Sequence, residues 1–124
     1  MCRSISGINV IGVDILKVSR IEDIINRFGQ RFMTKFFHPQ EIKKAQTLSK
    51  KSKIYYLAKR FAAKEAILKS RGGAFGIKFS DICIQNDQYG KPLVFYKDKK
   101  LDQAEISLSD DTEYAIAFVI MKNA

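Results

Sequence analysis

Two carboxylates and a lysine in this chain are spaced for chemistry on a metal-bound phosphate. Asp14 closes an apolar, β-branched run, INVIGVDI from Ile8 to Ile15, just ahead of a helical segment. A carboxylate at a strand end before a helix stands where α/β-type folds often hold a ligand. The ordinary alternative is an Asp that hydrogen-bonds its own loop. Leu57, Phe61, Glu65 and Lys69 are four residues apart and share one helix face. Its upper part is apolar, so Glu65 sits at the edge of the core or is buried for a reason. A semi-buried carboxylate that faces another needs a cation between them, or one of the two must take up a proton. The competing reading is a Glu65–Lys69 i,i+4 ion pair in the favourable order, worth about 0.2–0.5 kcal/mol.

Mg²⁺ is typically held by one or two carboxylates plus substrate phosphates and water. Asp14 and Glu65, from separate elements, therefore suit a metal-bridged polyphosphate site with Lys59, Arg60, Lys64, Lys69 and Lys91 as phosphate partners. Each of these lysines taken singly also reads as a solvated surface charge. Other chemistries find less support. The single histidine, His38, precedes Pro39 and reads as a loop residue, and no Ser/His/Asp or Cys/His set can be assembled. Gly72-Gly73 and Gly76 form no phosphate-loop or dinucleotide fingerprint and read as the end of a helix.

The chain has 124 residues, 46% of them hydrophobic and 28% charged, which is globular composition. That length suits one domain, 1–124. Lysine plus arginine number 22 against 13 acidic residues, a net charge of +9. Such a surface favours an anionic partner: nucleic acid, an acidic protein, a polyphosphate or an anionic membrane. Cys2 and Cys83 make neither a disulfide framework nor a metal motif, so both are expected as free thiols in a reducing compartment. The N-terminus carries no apolar signal core, and no apolar run approaches the roughly 18 residues of a membrane helix, so a cytoplasmic protein is expected.

The elements that position these residues follow from period and punctuation. A strand is expected over Ile8–Ile15, interrupted by Gly12 and Asp14. Ser19-Arg20-Ile21-Glu22 has capping-box spacing, predicting a helix from about Arg20 to Phe28 with Gly29 as its stop. Gln30–Phe37 leans to helix, and Pro39 suits the first turn of another reaching about Leu48. The longest helix is expected over about Lys53–Ser70. Then the period changes. Strands are expected at Phe79–Gln85 and Pro92–Tyr96 around an Asn86–Gly90 turn, a short helical turn within Lys97–Gln103, and strands at Ala104–Ser109 and Glu113–Met121. Helices first and hairpins second predict an α+β fold, helices packed on a mainly antiparallel sheet.

Gly12-Val13-Asp14-Ile15 followed by Val18-Ser19-Arg20-Ile21 resembles the N-terminal signature of the holo-acyl-carrier-protein synthases, in the phosphopantetheinyl transferase superfamily. Arg60-Phe61-Ala62-Ala63-Lys64-Glu65-Ala66, then Lys69, is similar to their second and more specific signature. Gly90-Lys91-Pro92 resembles a turn of the same family, and the three motifs span nearly the whole chain in order. The resemblance implies an enzyme that moves 4′-phosphopantetheine from coenzyme A to a serine of an apo acyl carrier protein, releasing adenosine 3′,5′-bisphosphate, in fatty acid biosynthesis. It implies Asp14 and Glu65 as Mg²⁺ ligands and Lys69 at the reacting phosphates. Arg60, Lys64, Gly90, Lys91 and Pro92 are expected along the coenzyme. Arg20 is expected to meet the acidic carrier, with Arg27 and Arg31 extending its patch. A homotrimer with sites at subunit interfaces is implied, with neither nucleic acid nor membrane as partner.

The chain departs from the family at two places. Many members carry a histidine where this sequence reads Ser107-Leu108-Ser109-Asp110-Asp111, and the segment Asp98–Gln103 is shorter than the helix often found there. Two other functions compete. A basic nucleic-acid-binding domain would use the charge and the five tyrosines and nine phenylalanines, yet Asp14 and Glu65 would repel phosphates without a metal. A non-catalytic scaffold derived from the enzyme would account for the missing histidine but leaves the carboxylate pair and Lys69 without a purpose.

Overall fold

The computed structural model describes residues 9–72 and 76–122. Strand β1, Val10–Lys17, runs directly into helix α1, Val18–Phe28. Helices α2, Gln30–Phe36, α3, Pro39–Gln46, and α4, Lys50–Ser70, follow. A 3₁₀ turn at Phe79–Asp81 leads to β2, Ile82–Asn86, then β3, Pro92–Tyr96, β4, Lys99–Lys100, β5, Ala104–Asp110, and β6, Tyr114–Met121. The fold is α+β, with every strand pairing antiparallel: one sheet in the order β1-β6-β5 and another in the order β2-β3-β4. Among the described residues no helix is long and apolar enough to cross a membrane.

Helix α4 is the axis of the molecule. Its Leu57, Ala58, Ala62, Ala63 and Ala66 are completely buried, and these mostly small side chains let other elements approach closely. On one side it meets Leu16 of β1 and the alternating inward residues Ala115, Ala117, Val119 and Met121 of β6. On another, Phe61 joins Phe32, Phe36, Phe37 and Phe79 in an aromatic cluster with tilted and edge-on contacts of 5.3–6.5 Å.

Several expected boundaries move, each for a local reason. Ser19 is not the cap of α1: the helix begins at Val18, because β1 feeds it without a loop and the Val18 N–H donates to the Glu113 carbonyl across the sheet. His38 is not a plain loop residue but the N-cap of α3. Its Nδ1 accepts from the Gln40 N–H while the Glu41 carboxylate accepts from the His38 N–H. Ser49 caps α4, which starts at Lys50, ahead of the expected Lys53. Phe79–Asp81 turns as 3₁₀ helix, so β2 starts at Ile82, after the expected Phe79. The helical turn expected after Tyr96 is instead a hairpin: Lys97 and Asp98 both take positive φ (48° and 67°), and Tyr96 pairs with Lys99. Ile8, Cys2 and Gly73 lie outside the described residues. Cys83 is a buried free thiol.

Candidate active site

Strand alternation sends Gly12, Asp14 and Leu16 to the face of β1 that covers α4. Gly12 has no side chain because none fits: a Cβ there would stand 2.0 Å from the Ala66 carbonyl oxygen and 2.8 Å from the Ser70 nitrogen. This close crossing brings Asp14, two residues along, against the next turn of α4. The Asp14 carboxylate, 13% exposed, accepts from the Lys69 ammonium at 2.9 Å. Lys69 therefore pairs across to the strand and not with Glu65 one turn below it. Its side chain is 55% exposed, so the ammonium remains open to a ligand.

Glu65 completes the arrangement. Burial pushes its carboxyl above the ordinary value, and the negative charge of Asp14 pushes it further, while Lys69 and Arg20 pull the other way. Asp14, Glu65, Lys69 and Arg20 are thus one electrostatic unit drawn from β1, α4 and α1. A cation between the carboxylates would cancel their mutual repulsion. Among the described residues no group of three or more His, Cys, Asp or Glu could hold a metal alone. Two protein carboxylates and open coordination positions suit Mg²⁺ shared with substrate phosphates.

The remaining expected site residues are distributed elsewhere. Arg60 lies five positions before Glu65, about 140° round the helix. It is 3% exposed, its guanidinium stacks 3.9 Å over the Tyr56 ring, and Nη2 donates to Asn86 Oδ1 at 3.3 Å. Its Nε has no partner among the described residues, beside a cleft of about 440 Å³ that also meets Gln40, Lys44, Gln85 and Asn86. Gly90 (φ 85°) and Lys91 belong to the β2–β3 turn and Pro92 opens β3; the Lys91 ammonium meets Glu105 at 3.1 Å. Arg20, Arg27 and Arg31 are exposed on α1 and α2, with Arg20 and Arg27 two turns apart on one face.

Lys64 requires a correction. Expected along the coenzyme, it is 0% exposed, and its ammonium donates to Glu41 Oε1 at 2.5 Å, the Phe36 carbonyl at 2.9 Å and the Phe79 carbonyl at 3.0 Å. All three donors are used inside the core, so none is left for a phosphate. Gly12 entered the sequence reading only as part of a signature and a strand interruption, and Glu41 only within a helix. A glycine inside a β-branched strand signals a close backbone approach and could have exposed Gly12. Glu41 gives no such signal, since an acidic residue three places after His38 reads only as a helix cap.

Residues 10–119 match the model of the 4′-phosphopantetheinyl transferase superfamily, and the chain belongs to that family. Its relatives narrow the class. The chain is 47% identical over 115 residues to the holo-[acyl-carrier-protein] synthase of Ehrlichia ruminantium strain Welgevonden, covering 90% of this chain and 94% of that one. It is 40% identical over 115 residues to the holo-[acyl-carrier-protein] synthase of Wolbachia pipientis wMel, covering 92% and 94%. The fold superposes on a holo-(acyl-carrier-protein) synthase from Bacillus anthracis in complex with CoA (3′,5′-ADP), with a TM-score of 0.82, 31% identity and coverage of 93% and 96%.

Proposed function

We propose that this chain transfers the 4′-phosphopantetheine group of coenzyme A to a serine of an apo acyl carrier protein, releasing adenosine 3′,5′-bisphosphate, in fatty acid biosynthesis. The observation that carries the reading is the Asp14 carboxylate held to the exposed Lys69 ammonium at 2.9 Å across the β1–α4 crossing, one helical turn from Glu65, whose carboxyl the Asp14 charge pushes up. Asp14 and Glu65 would hold Mg²⁺, which when bound supplies charge neutralisation for the pyrophosphate and its leaving group.

The serine oxygen attacks the β-phosphorus of the coenzyme, forming a phosphodiester as the bond from that phosphorus to the bridging oxygen breaks. The bisphosphate leaves with the bonding pair. Lys69, free to swing from Asp14, sets its charge against the phosphate oxygens. The Glu65 carboxylate, directly or through a water, takes the hydroxyl proton.

The finer assignments belong to the same proposal. Arg60, with its unpaired Nε, takes another of the coenzyme's phosphates on its own side of α4. Gly90, Lys91 and Pro92 reach the coenzyme from a neighbouring subunit. The homotrimer is supported by a sheet face on which Ile11, Val13, Ile15, Tyr114, Ile116 and Phe118 are 38–62% exposed together. Arg20, Arg27 and Arg31 receive the acidic carrier, which uses the +9 charge. The free Cys83 thiol suits a reducing compartment, and we assign the reaction to the cytoplasm. The test is to mix the protein with coenzyme A, Mg²⁺ and an apo carrier and weigh the carrier by mass spectrometry. One added phosphopantetheine, absent with chelator, is the expected result; an unchanged carrier with a folded protein refutes it.

A further inference from the structure

The least accessible charges among the described residues lie directly beside the site. Lys64 precedes Glu65 on α4 and is wholly buried, as is Glu41, 1% exposed, on α3. Burying two ions is expensive unless both are fully hydrogen-bonded, and here they are. The Lys64 ammonium donates to Glu41, to the Phe36 carbonyl and to the Phe79 carbonyl. The Glu41 carboxylate also accepts the His38 N–H at 3.0 Å and the Ile84 N–H at 2.9 Å. One ion pair therefore ties α4 to the end of α2, the start of α3, the 3₁₀ turn and β2. None of these elements belongs to the sheet that carries Asp14.

Glu65 stands between two fastenings of its helix. On the Asp14 side, the Gly12 crossing sets how near β1 comes to α4. That contact with backbone atoms of Ala66 and Ser70 fixes distance, and the Lys69–Asp14 bond at 2.9 Å adds one exposed directional tie on rotation about the helix axis. On the other side, three directional bonds from one ammonium define that rotation. A single helical residue is about 100° of turn, so a small rotation at Lys64 is passed directly to Glu65. We propose that Lys64 is a positioning residue for the transfer reaction, its bonds with Glu41, Phe36 and Phe79 holding the rotation of α4 that aims Glu65 at Asp14. The proposal rests on the phosphopantetheinyl transfer reading above.

The test uses the full chain with Lys64→Met and, because that variant leaves Glu41 buried and unpaired, a second variant, Glu41→Gln. Glu41→Gln keeps the shape and leaves the carboxylate pair untouched, although Glu41 borders the Arg60 cleft. Partners that orient a metal ligand typically cost about 10–100-fold when altered. The expected result is a fall of about tenfold or more in kcat per folded molecule for both variants, with KM for the carrier unchanged. A second readout does not depend on turnover: calorimetric binding of coenzyme A with and without Mn²⁺. In both variants the affinity gained on adding Mn²⁺ should shrink while the metal-free affinity stays at the wild-type value. If Tm falls but kcat and the Mn²⁺ increment remain at wild-type levels in Glu41→Gln, Lys64 is structural only and the proposal fails. A wild type that neither transfers nor gains affinity with Mn²⁺ overturns the transferase reading and this proposal together.

Discussion

The backbone of Gly12 lies so close to Ala66 that a β-carbon on the glycine would stand 2.0 Å from the Ala66 carbonyl oxygen. The obstacle is backbone, which cannot rotate aside as a side chain could. Gly12→Ala must therefore push β1 off α4, and Asp14 shares that stretch of strand. Overpacking of this kind costs about 1–3 kcal/mol. The variant is expected to melt at lower temperature and, well below its transition, to transfer more slowly than its folded fraction explains. Thermal denaturation and rate measured on one preparation check this. A wild-type rate would detach the Asp14 geometry from the crossing.

Glu65 should titrate according to its neighbours. Burial and then Asp14 raise its carboxyl, whereas Lys69 and then Arg20 lower it. In metal-free protein, Asp14→Asn should move the Glu65 titration downward and Lys69→Met should move it upward. Carbon-13 NMR of the side-chain carboxyl reads both. Shifts in the same direction would contradict the shared electrostatic unit.

Glu65→Gln should separate stability from activity. Because the folded carboxyl lies above its unfolded value, the native state holds the extra proton between the two. That group's contribution to stability then falls as pH rises from the ordinary glutamate value through the raised one. Glutamine removes that loss. At neutral pH the variant is expected to be at least as stable as wild type while transfer falls by about 10²-fold or more. Denaturant unfolding at several pH values, alongside the mass assay, gives both numbers. A folded Glu65→Gln protein with normal turnover would exclude Glu65 from the mechanism.

Much of this site was legible before the structure because its residues disagree with their surroundings. Asp14 breaks a β-branched run and Glu65 continues an apolar stripe. The long helix was legible from its period, though its first turn is polar and only the Ser49 cap reveals it. Capping-box spacing at Ser19 misled because a tertiary hydrogen bond, Val18 to Glu113, sets where α1 begins. The Lys97–Asp98 turn carries no glycine or asparagine, so Asp98 alone signals its left-handed backbone, and only weakly. Lys64 was misjudged for a deeper reason. Lysines are almost never fully buried unless paired, and its partner Glu41 lies 23 residues away, joined only by the packing of α3 on α4. Lys69 likewise finds Asp14 at a separation of 55 residues, over the nearer Glu65.

Charge reversal at Arg20 tests the carrier surface. Arg20 is exposed and shares a face of α1 with Arg27, whose guanidinium rests 5.7 Å from the Phe28 ring centre. Arg20→Glu is expected to raise KM for the acidic carrier by about tenfold and KM for coenzyme A by less, with the difference shrinking as salt is added. Steady-state kinetics at two ionic strengths distinguish this from general damage, which would move both constants alike.

The apolar sheet face gives the last prediction. Val13 lies opposite Phe118 and Ile15 opposite Ile116 on adjacent strands, with all four side chains turned from α4. Phe118 is 41% exposed, yet its strand neighbours Ala117 and Val119 are completely buried. An aspartate at 118 thus leaves the inward packing of β6 intact and adds a charge only to the outer face. If three copies meet through this face, Phe118→Asp must desolvate that charge on assembly and should instead sediment as a folded monomer, with circular dichroism unchanged. Transfer should fall with it, because the Gly90-Lys91-Pro92 turn of one subunit would no longer meet the carboxylate pair of the next. A variant that stays assembled would move the interface elsewhere. A monomer with full activity would show that a single chain supplies the entire coenzyme site.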